Sequence, residues 1–295
     1  MRSWLFPLTC ALVGFAAAAH AQSVTLLDTA RLASPRLRES SGVTPSSRPG
    51  LFWTHNDSGD GPMLYATDSA GQDLGRIRVR GVGAIDWEDI GAGPCVVAPG
   101  RCLYIGDIGD NRSQRPRVTI YRLVEPVPPS GKGDTLRVVD VLDSLVLRYP
   151  GGPRDAETVI VTPGGTLLIV SKPRHGEPHL YMADLHAPPP AVLVDAGPLP
   201  ISVNTVRGRL VTSGSISPDG RWVVIRTYVS LHFFRVDGTA HPIPAGGPDG
   251  IPIPYVETQG EGVAFDGPAR LVLTSEQGND GHGLIVRLRI LLPDR

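Results

Sequence analysis

The residues of this chain that are able to do acid–base or metal chemistry are mainly carboxylates at the start of short apolar runs. They are Glu88, Asp89, Glu157 and Glu261. Carboxylates that a fold brings together act as general acids, general bases or ligands of a metal ion. These four are therefore the candidate catalytic residues, and the sequence commits none of them to the role of nucleophile.

A second set of polar residues stands near the end of the apolar run that follows. They are His55, Lys172, Arg226 and Glu276. We take them as candidate substrate-binding residues, and Lys172 and Arg226 suit an anionic group. A second interpretation stays open, in which these two cations are counter-ions of Glu157 and Glu261.

A short internal repeat follows three of the apolar runs, with an acid, any residue, Gly, and then Asp or Asn. Clustered carboxylates repel one another, and a hard cation such as Ca²⁺ offsets that repulsion through oxygen ligands. The predicted metal ligands are Asp57, Asp107, Asp110 and Asn111. The same pattern is also typical of a turn in which Asp accepts from its own backbone, so both interpretations are kept.

Other signatures of chemistry are missing from the sequence. It has no Gly-x-Ser-x-Gly, no His-Glu-x-x-His and no Gly-x-x-x-x-Gly-Lys, so no nucleotide cofactor is expected. The formal net charge of −1 supplies no basic field, which disfavours nucleic acid as a partner.

The elements that must position these residues are short strands. The chain has 35 Gly and 29 Pro, too many for long helices, and short Val/Ile/Leu/Tyr runs recur between turn residues. One hairpin strand with a polar end recurs about every 50 to 65 residues, which is typical of a propeller. The strand before it starts at the same end of the hairpin, so each unit delivers its polar residues to one mouth of the ring.

Five such units predict an all-β fold, a β-propeller of five four-stranded blades, with outer strands over residues 75–79, 136–149, 191–194 and 251–255. The fifth unit lacks an outer strand, and we expect residues 23–28 to supply it and close the ring. Six blades remain an alternative if the longest interval hides a degenerate unit. A Greek-key sandwich is a further alternative, which would not explain the recurring hairpin.

Residues 1–21 are typical of a secretory signal peptide, with Arg2, an apolar stretch and the pattern Ala19-His20-Ala21. We therefore expect a single propeller domain over 22–295, exported to the periplasm or the medium, monomeric and without a membrane anchor. Export leaves Cys95 and Cys102 as an even pair in a compartment that permits disulfides, and we expect them to form a bond.

Several motifs give the chain a family resemblance. They are Asn56-Asp-Ser-Gly59, Asp86-Trp-Glu-Asp89, Gly106-Asp-Ile-Gly-Asp-Asn111, Asp155-Ala-Glu157, Ser217-Pro-Asp-Gly220, Arg226-Thr-Tyr228 and Gln259-Gly-Glu-Gly262. In this order they resemble those of a largely uncharacterised family of secreted bacterial β-propeller proteins. More distantly, the Glu-Gly pairs look like those of phytase-like propellers, some of which bind Ca²⁺.

Two functions are consistent with these features. The first is a secreted propeller that binds a small-molecule or cell-envelope ligand and holds a divalent cation at its acidic mouth. The alternative is a metal-assisted hydrolase that uses the same carboxylates on a phosphate ester or a glycoside. The sequence leaves open whether the protein is an enzyme.

Overall fold

The computed structural model describes residues 22–129, 135–201, 205–237 and 241–293. Within these ranges the chain forms 23 strands and one four-residue helix. The predicted signal peptide lies outside the described residues. No helix in the described part of the chain has the length and apolar character needed to cross a membrane.

The first half of the chain contributes ten strands. They are β1 (Ser23–Arg31), β2 (Ser40–Pro45), β3 (Leu51–Asn56), β4 (Met63–Asp68), β5 (Asp73–Arg80), β6 (Trp87–Pro94), β7 (Arg101–Asp107), β8 (Val118–Val124), β9 (Leu136–Asp140) and β10 (Asp143–Arg148).

The second half contributes thirteen strands and the helix α1 (Val206–Arg209). The strands are β11 (Ile160–Val161), β12 (Thr166–Val170), β13 (His179–Asp184), β14 (Ala191–Val192), β15 (Val194–Pro198), β16 (Val211–Ile216), β17 (Trp222–Thr227), β18 (Ser230–Val236), β19 (Pro242–Pro244), β20 (Ile251–Pro252), β21 (Gly260–Phe265), β22 (Arg270–Ser275) and β23 (Leu284–Leu291).

These strands form five antiparallel blades, which confirms the predicted five-bladed propeller. From the axis outward the first four blades are β2-β3-β4-β5, β6-β7-β8-β10, β11-β12-β13-β15 and β16-β17-β18-β19. The fifth blade is β21-β22-β23-β1, so its outer strand comes from the opposite end of the chain. Ser23 pairs with Leu291 and Arg31 with Leu284, as expected for a ring closed by the N-terminal strand.

Three outer strands differ from what the sequence pattern predicted. Residues 136–149, expected as one outer strand, divide into β9, which pairs in parallel with β5 of the first blade, and β10, which ends the second. Likewise β14 pairs in parallel with β10, and β15 ends the third blade. In the fourth blade the predicted strand 251–255 shrinks to β20, and β19 also pairs with β18. Sequence periodicity reveals a strand but not the strand it pairs with. Here β9 and β14 each cover the outer edge of the preceding blade.

Cys95 and Cys102 form a disulfide, as predicted. Cys95 directly follows β6 and Cys102 lies in β7, so the bond joins the two strands of the second blade at the end away from the mouth.

Apolar side chains fill the space between neighbouring blades. Trp53 and Leu64 of the first blade pack with Trp87, Ile90 and Ile105 of the second, and all five are buried. Near the axis, glycines allow the inner strands to approach one another. A Cβ at Gly42 would lie 2.7 Å from Asp89 Cα, and one at Gly262 would lie 2.7 Å from Ser41 O. The inner strands therefore bring their polar residues to the axis.

Candidate functional site

A β-bulge marks every inner strand at the same end of the ring. In the second blade Trp87 pairs with Asp107 but Asp89 pairs with Gly106, so Glu88 is an extra residue. Equivalent irregularities lie within residues 40–43, 156–160, 211–213 and 260–263. A bulge changes the direction of the side chain it carries. Three of the five bulged segments carry a glutamate, namely Glu88, Glu157 and Glu261.

These glutamates and their neighbours form what we call the mouth. Its members are Asp57, Asp86, Glu88, Asp155, Glu157, Lys172, Tyr228, Gln259, Glu261 and Glu276. Its carboxylates come from loops of the first, second, third and fifth blades and from the bulged segments that carry Glu88, Glu157 and Glu261.

Glu88 and Glu157 share a hydrogen bond at the bottom of the mouth. Burial, and then the charge of Glu157, raises the pKa of Glu88 well above its usual value. Burial likewise raises the pKa of Glu157, although Lys172 Nζ lies 2.8 Å from its Oε1. Burial and the proximity of the two carboxyl groups thus raise the pKa of both members of this pair. Burial opposes the charge of Lys172, but Glu157 and Glu261 outweigh it and raise the pKa of this amine.

Carboxylate oxygens converge in two overlapping groups. The first contains Asp57, Asp86 and Glu88, and the second contains Glu88, Asp155 and Glu157; one oxygen from each member lies within 4.8 Å of the others. Ca²⁺ binds oxygen at about 2.3–2.6 Å, so two ligands across one ion lie up to roughly 5 Å apart. Both groups therefore have a spacing that a single Ca²⁺ can bridge.

The backbone of Gly109 lies against the carboxylates of Asp86 and Glu88, two members of the first oxygen group. A Cβ on this glycine would lie 2.1 Å from Glu88 Oε1 and 2.5 Å from Asp86 Oδ2. Both carboxylates thus occupy space that any larger residue would take. Burial, and then the charges of Asp57 and Asp155, raises the pKa of Asp86 to about 6.

Two buried atoms near the mouth have no hydrogen-bond partner among the described residues, Glu261 Oε2 and His55 Nε2. The other oxygen of Glu261 accepts from Gln259 Nε2 at 2.9 Å, and the same amide donates to Glu276 Oε1 at 2.6 Å. Burial, and then the charge of Glu261, raises the pKa of Glu276 to about 7. Burial lowers the pKa of His55, so its imidazole is neutral and able to accept at one nitrogen.

Asp89 lies away from the mouth, at the axis. It is fully buried, and its carboxylate accepts from Val159 N at 2.9 Å, Ser213 Oγ at 3.1 Å and Gly214 N at 3.4 Å. Ser213 Oγ in turn accepts from Val263 N at 3.1 Å. We call Asp89, Ser213 and these backbone donors the axial plug. It joins the second, third, fourth and fifth blades, which supports a scaffold role for Asp89, and the catalytic role stays a prediction.

Arg226, predicted to bind substrate, is likewise held by groups of the protein itself. It is fully buried, forms an ion pair with Glu257 and donates to Gly262 O at 2.7 Å and Thr274 O at 2.9 Å. Its long side chain therefore reaches from the fourth blade into the fifth. Lys172, by contrast, pairs with Glu157, in agreement with the counter-ion interpretation.

Of the predicted metal ligands, only Asp57 contributes to the converging oxygens. Asp107 accepts from Ile85 N, Asp86 N and Arg115 Nη2, at 3.1, 3.2 and 2.7 Å. The carboxylate of Asp110 accepts from the backbone amides of Gln114 and Arg115, four and five residues further on, so it closes a local turn that is longer than the predicted one. Asn111 Oδ1 accepts from Arg174 Nη2 at 3.4 Å. These contacts hold the segments of residues 85–86 and 110–115 in place.

Four members of the mouth were not predicted from the sequence as site residues: Asp86, Asp155, Tyr228 and Gln259. Each lies in a motif that carries the family resemblance, so these motifs already contained the missing members of the mouth. Lys172 Nζ lies 5.3 Å from the centre of the Tyr228 ring, and Arg207 Cζ lies 4.9 Å from it. Tyr228 thus places an aromatic face between two cations at the rim.

One comparison with a solved structure supports the fold class. No family model matches this chain, and no curated protein sequence matches it. A PQQ-bound aldose sugar dehydrogenase from Streptomyces coelicolor is similar over 92% of this chain and 99% of its own, with 13% identity and a TM-score of 0.52. The calcium-binding protein regucalcin from Agrobacterium tumefaciens is similar over 88% and 94%, with 14% identity and a TM-score of 0.46. At such identity the first of these supports the β-propeller fold alone.

Proposed function

We propose that this protein is a ligand-binding β-propeller that holds a divalent cation, Ca²⁺, at its mouth. The ligands would be Asp57, Asp86 and Glu88. The observation that carries this proposal is the convergence of their oxygens within 4.8 Å beside Glu261 Oε2, a buried carboxylate oxygen without a hydrogen-bond partner among the described residues.

The charge balance of the mouth supports a cation. Its carboxylates are Asp57, Asp86, Glu88, Asp155, Glu157, Glu261 and Glu276, and among the described residues Lys172 is the cation that pairs with one of them. Arg226 is committed to Glu257. Without a further cation, burial and mutual repulsion raise the pKa values of several of these carboxyl groups and favour their protonated forms. A bound cation would replace those protons.

Ca²⁺ fits this site better than Mg²⁺. The candidate ligands are protein oxygens on two separate segments, and Ca²⁺ tolerates irregular geometry, whereas Mg²⁺ requires a near-ideal octahedron at about 2.0–2.1 Å. The proposed setting is the exported compartment expected from residues 1–21, where Ca²⁺ sites of extracellular modules have dissociation constants of about 10⁻⁴–10⁻³ M.

A second candidate is metal-assisted hydrolysis of a phosphate ester by the same site. It is favoured by the Glu88–Glu157 pair, which shares a proton beside the converging oxygens and next to Lys172. A glycoside fits less well, because glycosidase carboxyl groups stand about 5–9.5 Å apart and this pair is directly hydrogen-bonded. Release of phosphate from a monoester that depends on both Ca²⁺ and Glu88 would support the hydrolase.

The proposal is tested by thermal melts and calorimetric titration of the purified protein in chelator, in Ca²⁺ and in Mg²⁺. A ligand at 100 times its dissociation constant stabilises by about 2.7 kcal/mol, so we expect Ca²⁺ to raise the melting temperature by about 5 °C or more. Glu88→Gln should remove most of this rise, because it takes a ligand from both oxygen groups.

Asp140→Asn is the matched control. This exposed carboxylate pairs with Arg80 at the outer edge of the first blade, so the response to Ca²⁺ should be retained. An identical melt in chelator and in Ca²⁺, with no heat of binding, would reject the cation site. A Ca²⁺ response that persists in Glu88→Gln would place the ion elsewhere.

A further inference from the structure

A cavity of about 430 Å³ adjoins the mouth between Lys172 and α1. Its polar wall is formed by Lys172, Arg174, His175 and Arg209, with Asp155 as the carboxylate in the lining. Three permanent cations therefore face one acid, which is the reverse of the charge balance in the mouth. Lys172 lines both the cavity and the mouth and lies at the boundary between them.

The two arginines are not neutralised by carboxylates. Among the described residues, neither Arg174 nor Arg209 has an ion pair, in contrast to Arg226 and Lys172. Arg174 Nη2 donates a long hydrogen bond of 3.4 Å to Asn111 Oδ1. Arg209 Nη2 donates to Arg174 O at 2.9 Å, and its Nε is buried without a partner in the described chain. Both guanidinium groups thus retain donors for an anion.

The cavity is preorganised around these donors. Thr205 Oγ1 accepts from Gly208 N at 3.0 Å and caps α1, which carries Arg209. The hydrogen bond from Arg209 to the backbone of Arg174 then holds the two residues together. Donors already fixed in place lose little entropy on binding, which favours affinity.

The opposite wall is apolar. Val206, Leu210 and the ring of Tyr228 line it. The volume is within the range of about 300–1,000 Å³ that is typical of small-molecule sites and too small for a folded partner. A ligand that satisfies both walls has a charged oxygen group at one end and an apolar or aromatic body at the other.

We infer that this cavity binds a small organic anion, with its carboxylate or phosphate group on Arg174 and Arg209 and its apolar body against Val206, Leu210 and Tyr228. The inference deepens the proposed function, on which it rests only for the placement of a cation beside the bound anion. Arginine recognises both oxyanions through paired hydrogen bonds, so the head group is tested directly.

The experiment is a calorimetric titration of the purified protein with phenyl phosphate and with benzoate, in chelator and in Ca²⁺. We expect at least one probe to bind in chelator, and the tighter one identifies the head group. Inorganic phosphate should bind more weakly, because it lacks the apolar body. Arg174→Gln with Arg209→Gln should weaken binding at least about tenfold, since hydrogen bonds to charged groups contribute about 1.5–3 kcal/mol.

Arg289→Gln is the matched control, because this exposed arginine lies on β23 outside the cavity, and it should bind the probes as the parent does. Thermal melts check that each variant is folded, and Tyr228→Ala is a second probe of the cavity that leaves both arginines in place.

Absence of probe binding in every condition overturns the inference. Binding that requires Ca²⁺ and ignores the arginine variants also overturns it, because the anion would then lie on the cation. Glu88→Gln separates the two proposals: it should weaken Ca²⁺ binding and leave probe binding in chelator unchanged.

Discussion

The mouth and the axial plug are adjacent regions built from the same residue type. Glu88 and Asp89 are neighbours in sequence, and both are buried, with 3% and 0% of their surface exposed. Asp89 accepts from donors of the third and fourth blades, whereas Glu88 faces the carboxylates of Asp86 and Glu157. Burial alone therefore does not identify a functional carboxylate; the supply of hydrogen-bond donors does.

The bulge explains how two neighbouring residues reach such different surroundings. In a regular strand successive side chains point to opposite faces of the sheet. Without a bulge, Glu88 and Asp89 would therefore face the two different neighbours of the second blade. The extra residue at position 88 lets Glu88 reach the mouth and Asp89 reach the axis. Bulges are frequent next to functional sites, and their repetition in all five blades places the polar ends of the inner strands around one opening.

The largest expected effect breaks this comparison by removing the plug. Asp89→Ala leaves Val159 N and Ser213 Oγ without their buried acceptor and opens a cavity at the axis. Each orphaned donor costs about 1–3 kcal/mol, so we expect the free energy of unfolding to fall by about 3 kcal/mol or more. Unfolding in urea, followed by fluorescence, measures this change.

Glu88→Gln is the internal control for that measurement. Because burial and the charge of Glu157 raise the pKa of Glu88 and favour its neutral form, a neutral amide of similar size should change the free energy of unfolding in chelator by less than about 1 kcal/mol. Equal losses for Asp89→Ala and Glu88→Gln would show that both residues serve the scaffold, and the distinction between mouth and plug would fail.

A smaller effect is expected from pH, and it sharpens the electrostatic side of the comparison. The pKa of Asp86 is raised to about 6 and that of Glu276 to about 7, so the folded protein binds more protons than the unfolded chain between about pH 4 and 7. Their contribution to stability is fully present below the unfolded values and is lost as pH rises through the folded ones. After allowance for solvent screening, we expect roughly 1–2 kcal/mol less stability at pH 7.5 than at pH 5.

Urea unfolding in chelator at several pH values measures this trend, and Ca²⁺ should suppress it, because the ion favours the ionised carboxylates. Acidic groups with lowered pKa values, such as Asp140 beside Arg80, lose their contribution only below about pH 4. Burial raises the pKa of Asp89 to about 7 and lowers that of His232 to about 4, so both also change stability in this range, and Glu276→Gln isolates the contribution of the mouth. A pH trend that is the same in Glu276→Gln and in the parent would mean that the mouth is not under electrostatic stress.

Much of the fold was predictable, because each blade repeats the same local pattern. The recurring hairpin predicted five blades, and the unit without an outer strand predicted that β1 pairs with β23. The partners of β9 and β14 were not predictable, since pairing across blades depends on where the crossing chain runs. Periodicity records which face of a strand is buried and does not record its neighbour.

The site was predictable as a region and less so residue by residue. Strand ends placed Glu88, Glu157, Glu261 and Lys172 together, and the structure brings them into one mouth. The separation of Asp89 from Glu88 depends on a bulge that no sequence pattern marks. The roles of Arg226 and Asp107 depend on the reach of their partners Glu257 and Arg115, which only the folded geometry supplies.

The smallest expected effect on stability comes from Gly109→Ala, which alters the mouth without removing any ligand. The backbone of Gly109 is not in a conformation reserved for glycine, so the added methyl group acts through its contacts with the carboxylates of Glu88 and Asp86. These are flexible side-chain ends, so they can move aside and we expect a change in the free energy of unfolding below about 1 kcal/mol. Moving two ligands by this much should weaken Ca²⁺ binding by about tenfold, as measured by calorimetry, since cation affinity depends on ligand geometry. Gly247→Ala is the matched control, because a Cβ there would meet nothing within 4 Å, and Ca²⁺ binding should be unchanged. If Gly109→Ala binds Ca²⁺ as the parent does, the ion does not use the Asp86–Glu88 pair, and Asp155 with Glu157 would become the ligands to replace next.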